Sequence, residues 1–206
     1  LSTEPTSSLR RHKWCVAICI VLLSALVTMS AFLYINTRSL YFEQNMHTYA
    51  LGAVWGDLSR DWAVLADDVN NNKSALNQAI LESEYNVNSA TNRLGYLDSS
   101  HSQEWYSLYD VYSGGLQIMA ENNYFQNNST GWIAQVCQNI LSLNTAINSI
   151  PLSGDKNVEP VTLLYNQNAN TFFMNETAVQ NVMQLSTQLA TLINTNAGTH
   201  IIVGPT

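Results

Sequence analysis

Trp14–Thr37, WCVAICIVLLSALVTMSAFLYINT, is a run of 24 residues without a single Asp, Glu, Lys, Arg or His. A helix rises about 1.5 Å per residue, so this run is long enough to cross a hydrocarbon layer of roughly 30 Å. It reads as one transmembrane helix over residues 14–35. Ser24, Thr28 and Ser30 fit such a helix, because a hydroxyl can bond the carbonyl one turn back. Trp14 at one end and Tyr34 and Tyr41 at the other match aromatic placement at two interfaces.

Residues 1–13 form a short basic tail with Arg10, Arg11 and Lys13, whereas Arg38 alone follows the run closely. The positive-inside bias puts this tail in the cytoplasm and everything after the span on the extracytoplasmic side of a cell membrane. A secretory signal peptide shares the basic-then-apolar order. The run is longer than a usual signal core and the residues around Ala31 make a poor cleavage site, so a retained single-pass signal anchor is expected. Leu1 is not an initiator Met, which leaves upstream processing open. With no charge in the span there is no ion relay in it, and membrane lipid is its expected partner.

From Asn36 onward, 14 Asp and Glu stand against 5 Lys and Arg, a formal balance of minus nine. Such a surface repels a phosphate backbone, so nucleic acid is excluded as an expected partner. Cys15 and Cys19 lie in the apolar run and Cys137 far outside it, so the external part is expected to fold without a disulfide, with Cys137 filling an apolar seam.

Residues 36–97 carry a heptad-like series, Leu51, Trp55, Leu58, Trp62, Leu65 and Val69, at steps of four and three, which puts all six on one helical stripe. The phase continues through Leu76, Ile80, Val87, Ala90, Leu94 and Leu97, interrupted by Asn72 and Ser83. A long coiled-coil-like arm is expected, either one helix or a hairpin with its tip at Asn70–Asn72. Residues 98–150 form an aromatic-rich helical region. In it Trp105, Tyr109 and Tyr112 predict a short helix ending near Gly114 and Gly115. A second segment runs from Leu116 to Tyr124, Asn127–Gly131 is a turn, and Trp132, Ile133, Val136, Ile140, Leu143 and Ile147 mark a helix capped by Ser129 or Thr130.

Residues 151–160 read as a linker, with Pro151, Gly154 and Pro160. Residues 161–206 hold Val161–Asn170, helical or extended, then a terminal helix through Val179, Val182, Leu185, Leu189, Leu192 and Ile193, capped by Asn175 and ended by Ala197–Gly198, and a tail from His200 able to dock on its own domain or a neighbour. The fold class is mainly α: a single N-terminal transmembrane helix followed by an elongated extracytoplasmic helical bundle with a long arm.

No catalytic, cofactor or metal motif is present. His47, His101 and His200 are scattered, Asp57, Asp61, Asp67 and Asp68 read as a solvated helix face, as do Glu82 and Glu84, and no phosphate loop, nucleophile elbow or haem attachment occurs. Sequons occur at Asn72, Asn127, Asn128 and Asn175, all at expected turns or helix boundaries on the outer side, which makes them possible glycosylation sites. The function expected is that of a noncatalytic structural or accessory subunit of a protein complex, with an interface through Leu51, Trp55, Leu58, Trp62, Leu65, Trp105, Tyr109 and Tyr112 to like or unlike membrane or cell-surface subunits. An extracytoplasmic sensor or ligand-binding module is the alternative reading, and a membrane-anchored enzyme the third.

Overall fold

The computed structural model describes residues 6–72, 74–126, 131–151 and 174–202. These residues are almost entirely helical and contain no strand, only an isolated antiparallel bridge between Pro151 and Met174. Among the described residues six α-helices follow one another: α1 Thr6–Asn71, α2 Leu76–Leu97, α3 Ser102–Val111, α4 Gln117–Glu121, α5 Trp132–Asn148 and α6 Glu176–Ala197. A 3₁₀ turn, Ser99–His101, precedes α3, and a π turn, Tyr112–Leu116, joins α3 to α4. The chain divides into two compact units, residues 1–44 and 45–206.

The first unit contains the span Trp14–Leu40 of α1, which is long and apolar enough to cross a membrane and has none of its most apolar window buried. A membrane anchor and a secretory signal sequence both fit that description. Ser24 Oγ donates to the Val21 carbonyl at 2.8 Å, Thr28 Oγ1 to the Ser24 carbonyl at 2.6 Å and Thr37 Oγ1 to the Leu33 carbonyl at 2.8 Å, so these three hydroxyls are satisfied inside their own helix.

In the second unit the stripe Leu51, Trp55, Leu58, Trp62, Leu65 and Val69 is buried, and its continuation Leu76, Ile80, Val87, Ala90 and Leu94 is buried in the same core. The backbone breaks between the two halves of that stripe. The weak helix formers Asn70–Asn72 end α1, the Ala75 amide bonds the Asn72 carbonyl at 2.9 Å, and α2 begins at Leu76. The core draws on all six helices, with Trp105, Leu108, Met119, Val136, Ile140, Val182 and Leu189 among its members. Helix α6 packs against both α3 and α5, while α2 packs against α3 and α4. Cys137 lies in this core, 6% exposed.

One detail differs from the sequence expectation. Gly114 and Gly115 do not end the helix, because the chain passes through them as a π turn into α4. A Cβ on Gly115 would sit 2.8 Å from Ile201 Cδ1 and 3.0 Å from Ile193 Cδ1, so the missing side chain lets α6 and the tail close onto this turn. The tail from His200 was read as able to dock on its own domain or on a neighbour, and its described part docks at home. Asn194 Nδ2 donates to the Ile201 carbonyl and Asn194 Oδ1 accepts from the Ile201 amide, both at 2.8 Å, and Ile201 is buried.

The start of α6 is fixed by Asn175, whose Oδ1 accepts from the Ala178 amide at 3.3 Å, and its end by Gly198 in the left-handed conformation at φ 69°. The linker at residues 152–160, the segment Val161–Asn170 and the caps Ser129 and Thr130 lie outside the described residues.

Candidate functional site

The expected partner interface is already occupied. Leu51, Trp55, Leu58, Trp62, Leu65, Trp105 and Tyr112 are all buried within the single chain, and only Tyr109 is half-exposed. The stripe closes within its own unit, where the Trp55 indole reaches Ile147 on α5, the Trp62 ring meets Tyr112, and the remaining residues share one core with the other helices. An amphipathic stripe requires that a face be covered, and here the cover is intramolecular.

Polar anchors fix the aromatic residues of this core. The Trp55 indole N–H donates to the Ile147 carbonyl at 2.9 Å, tying α1 to α5. Ser59 Oγ donates to Asn148 Oδ1 one turn further on. The Tyr112 hydroxyl donates to the Ile80 carbonyl at 2.7 Å, and its ring meets Trp62 edge-on at 6.0 Å between centroids. Burial raises the Tyr112 phenol above its usual range, and the nearby Asp61 and Glu84 add to the rise, so it stays a hydrogen-bond donor.

Asp98, buried at the join of α2 and α3, gathers three donors. Ser100 Oγ reaches one carboxyl oxygen at 2.7 Å, and the other takes Trp105 Nε1 at 3.0 Å and His101 Nδ1 at 2.9 Å. His47 Nε2 donates to the Leu97 carbonyl at 2.8 Å beside this node. These histidines satisfy backbone and carboxylate acceptors, and no cluster of metal-ligating side chains occurs among the described residues.

Two polar grooves lie on the surface of the unit. The first, of about 360 Å³, runs between α1 and α2 and is lined by Asp57, Arg60, Asp61, Tyr85, Asn86 and Arg93, among others. Arg60 pairs with Asp57 at 3.5 Å, an exposed i,i+3 contact of small energetic weight. Burial raises the Asp61 carboxyl, Arg60 opposes the rise, Asp57 adds to it and a hydrogen bond with Asn86 lowers it again. The acidic face read from Asp57 and Asp61 is therefore a mixed-charge groove, with Arg60 on the same helix and Arg93 brought to it by α2.

The second groove, of about 470 Å³, lies between α5 and α6 and is lined by Gln135, Asn139, Thr187, Gln188, Thr191, Leu192, Thr195 and Asn196. Not one of these carries charge. The signal was legible as composition: α5 contains no Asp, Glu, Lys, Arg or His, and α6 has Glu176 as its one such residue.

Of the sequon asparagines, Asn72 is exposed at the α1–α2 turn, where its Oδ1 accepts from Ser74 Oγ at 2.9 Å. Asn175 is half-buried at the α6 cap, and Asn127 and Asn128 lie outside the described residues. Cys15 and Cys19 are exposed on α1.

No protein family, no curated protein and no solved structure matches this chain.

Proposed function

We propose that this protein is a noncatalytic, membrane-anchored structural or accessory subunit that acts by lateral protein–protein association on the extracytoplasmic side of a cell membrane. The observation that carries the reading is the exposed apolar span Trp14–Leu40, uncharged as far as Thr37, joined in one chain to a helical unit most of whose large apolar side chains are spent on its own core. The basic residues Arg10, Arg11 and Lys13 before the span favour a cytoplasmic N-terminus. Contacts to like or unlike subunits then fall to polar surface patches and to the lipid-exposed helix. The sequon at Asn72 suits a glycan on the outer side, since its asparagine is exposed and at a turn.

Mass measurement of the full-length chain in mild detergent, together with cross-linking in intact membranes, tests this reading. A complex larger than the monomer supports it. A strictly monomeric chain in both settings overturns it.

A second reading, an extracytoplasmic ligand-binding module, is favoured by the mixed-charge groove between α1 and α2, where two aspartates and two arginines suit a small zwitterion. A rise in melting temperature with added free amino acids, lost in an Arg60→Ala and Arg93→Ala variant, would make it primary.

A further inference from the structure

We infer that the uncharged groove between α5 and α6 is the surface on which this protein pairs with a second copy of itself. The inference rests on the proposed lateral association and names the partner and the face. Residues 45–126 carry ten carboxylates against Arg60, Lys73 and Arg93, so two copies meeting through α1 to α4 bring like charges together. The layer of α5 and α6 is different, being free of charge from Trp132 to Asn148 and again from Thr177 to Ala197. It is the face on which a second acidic copy settles without electrostatic penalty.

The chemistry of the groove also suits a like partner. A two-fold contact requires a patch that complements itself, and a carboxamide does so because it carries donor and acceptor together, whereas a carboxylate or a guanidinium repels its own copy. Gln135 and Gln188, both exposed, stand on opposite walls of the groove. The threonine hydroxyl donors and one N–H of Asn139 are already spent inside their helices. Asn139 Nδ2 bonds the Gln135 carbonyl at 2.9 Å, Thr187 the Met183 carbonyl at 3.0 Å, Thr191 that of Thr187 at 2.8 Å, and Thr195 that of Thr191 at 2.7 Å. What they leave at the surface are methyl groups, a second Asn139 N–H and acceptor oxygens, and the glutamine N–H groups of the second copy donate to those oxygens.

Size sets the strength. A 17-residue helix is about 25 Å long, and two helices side by side offer a face of about 500 Å² per copy, below the roughly 800 Å² of a standard stable interface. The pair is therefore weak between freely diffusing copies and gains from confinement in one membrane, where the effective concentration is high.

The test uses the full-length protein in lipid nanodiscs or mild detergent, with self-association measured by energy transfer between two labelled pools. Gln135→Glu with Gln188→Glu is expected to weaken association at least tenfold, and so is Gln135→Lys with Gln188→Lys. Mixing the two variants is expected to restore pairing to the wild-type level or above. An Asn92→Glu variant, exposed on α2, is the charge control and stays wild-type. Self-association that neither double variant changes, or that mixing does not restore, overturns this face while leaving lateral association standing. Association only with an unlike protein also overturns it, and a monomer under every condition overturns both this inference and the reading it rests on.

Discussion

The indole N–H of Trp105 donates to the Asp98 carboxylate across 3.0 Å, and both residues are buried, so a charge-bearing group sits at the centre of the α2–α3 join with His101 and Ser100 as its other donors. Removing the acceptor in Asp98→Ala leaves the Trp105 N–H buried without a partner, at a cost of about 2–4 kcal/mol. Asp98→Asn keeps one carbonyl acceptor and is expected to recover part of the loss. Chemical denaturation of the three proteins checks the order.

Trp55 and Trp62 lie on the same stripe with different polar accounts. The Trp55 N–H bonds the Ile147 carbonyl, whereas Trp62 Nε1 has no partner among the described residues. Trp55→Phe therefore costs about 2 kcal/mol or more, while Trp62→Phe exchanges lost packing for the removal of an unsatisfied donor and stays within about 1 kcal/mol of wild type. Because both side chains are interior, neither substitution changes the mass of the full-length complex. A lower mass in either would return the stripe to the role of partner interface.

Gly115→Ala is expected to destabilise the unit by about 1 kcal/mol, because the new methyl would lie 2.8 Å from Ile201 Cδ1 and 3.0 Å from Ile193 Cδ1, and those side-chain ends must shift to admit it. A second change, Ile201→Ala, opens space on one side and restores part of the loss. Thermal unfolding of the single and double variants measures the coupling, and strict additivity would show that the tail does not press on the π turn.

The Asp61 carboxyl is raised in the folded state, chiefly by burial. A folded-state rise means that the protonated form is favoured by folding. The stabilising contribution is full below the ordinary carboxylate value of about 3.9 and is lost as pH rises through the folded value. Asp61→Asn holds the neutral form at every pH and is expected to gain stability relative to wild type at neutral pH, with the difference shrinking toward acid. Arg60, Asp57 and Asn86 face the same carboxyl and are unchanged in the variant, so melting curves from pH 3 to 7 isolate it. A constant offset across that range would contradict the burial account.

By itself the sequence determined the parts that depend on neighbours along the chain. An uncharged run of 24 residues states its own length and polarity, and steps of three and four state that Leu51 to Val69 share a helical face. Asn175 and Gly198 mark the ends of α6 because a cap and a left-handed residue act on the nearest turn. What covers a stripe is a different question. A periodic face demands burial but names no partner, so Trp55 and Trp62 read equally well as a contact with another chain, and only the tertiary structure gives Trp55 to the Ile147 carbonyl and Trp62 to the Tyr112 ring. The phase from Val69 to Leu76 survives a break at Asn72 because spacing along the chain does not record whether the backbone between is helical. Gly114 and Gly115 read as a stop, whereas the structure carries them through a π turn against which Ile193 and Ile201 pack. The two grooves belong to the tertiary structure for the same reason. Arg60 meets Arg93, and Gln135 meets Gln188, through helix pairings that local spacing does not encode.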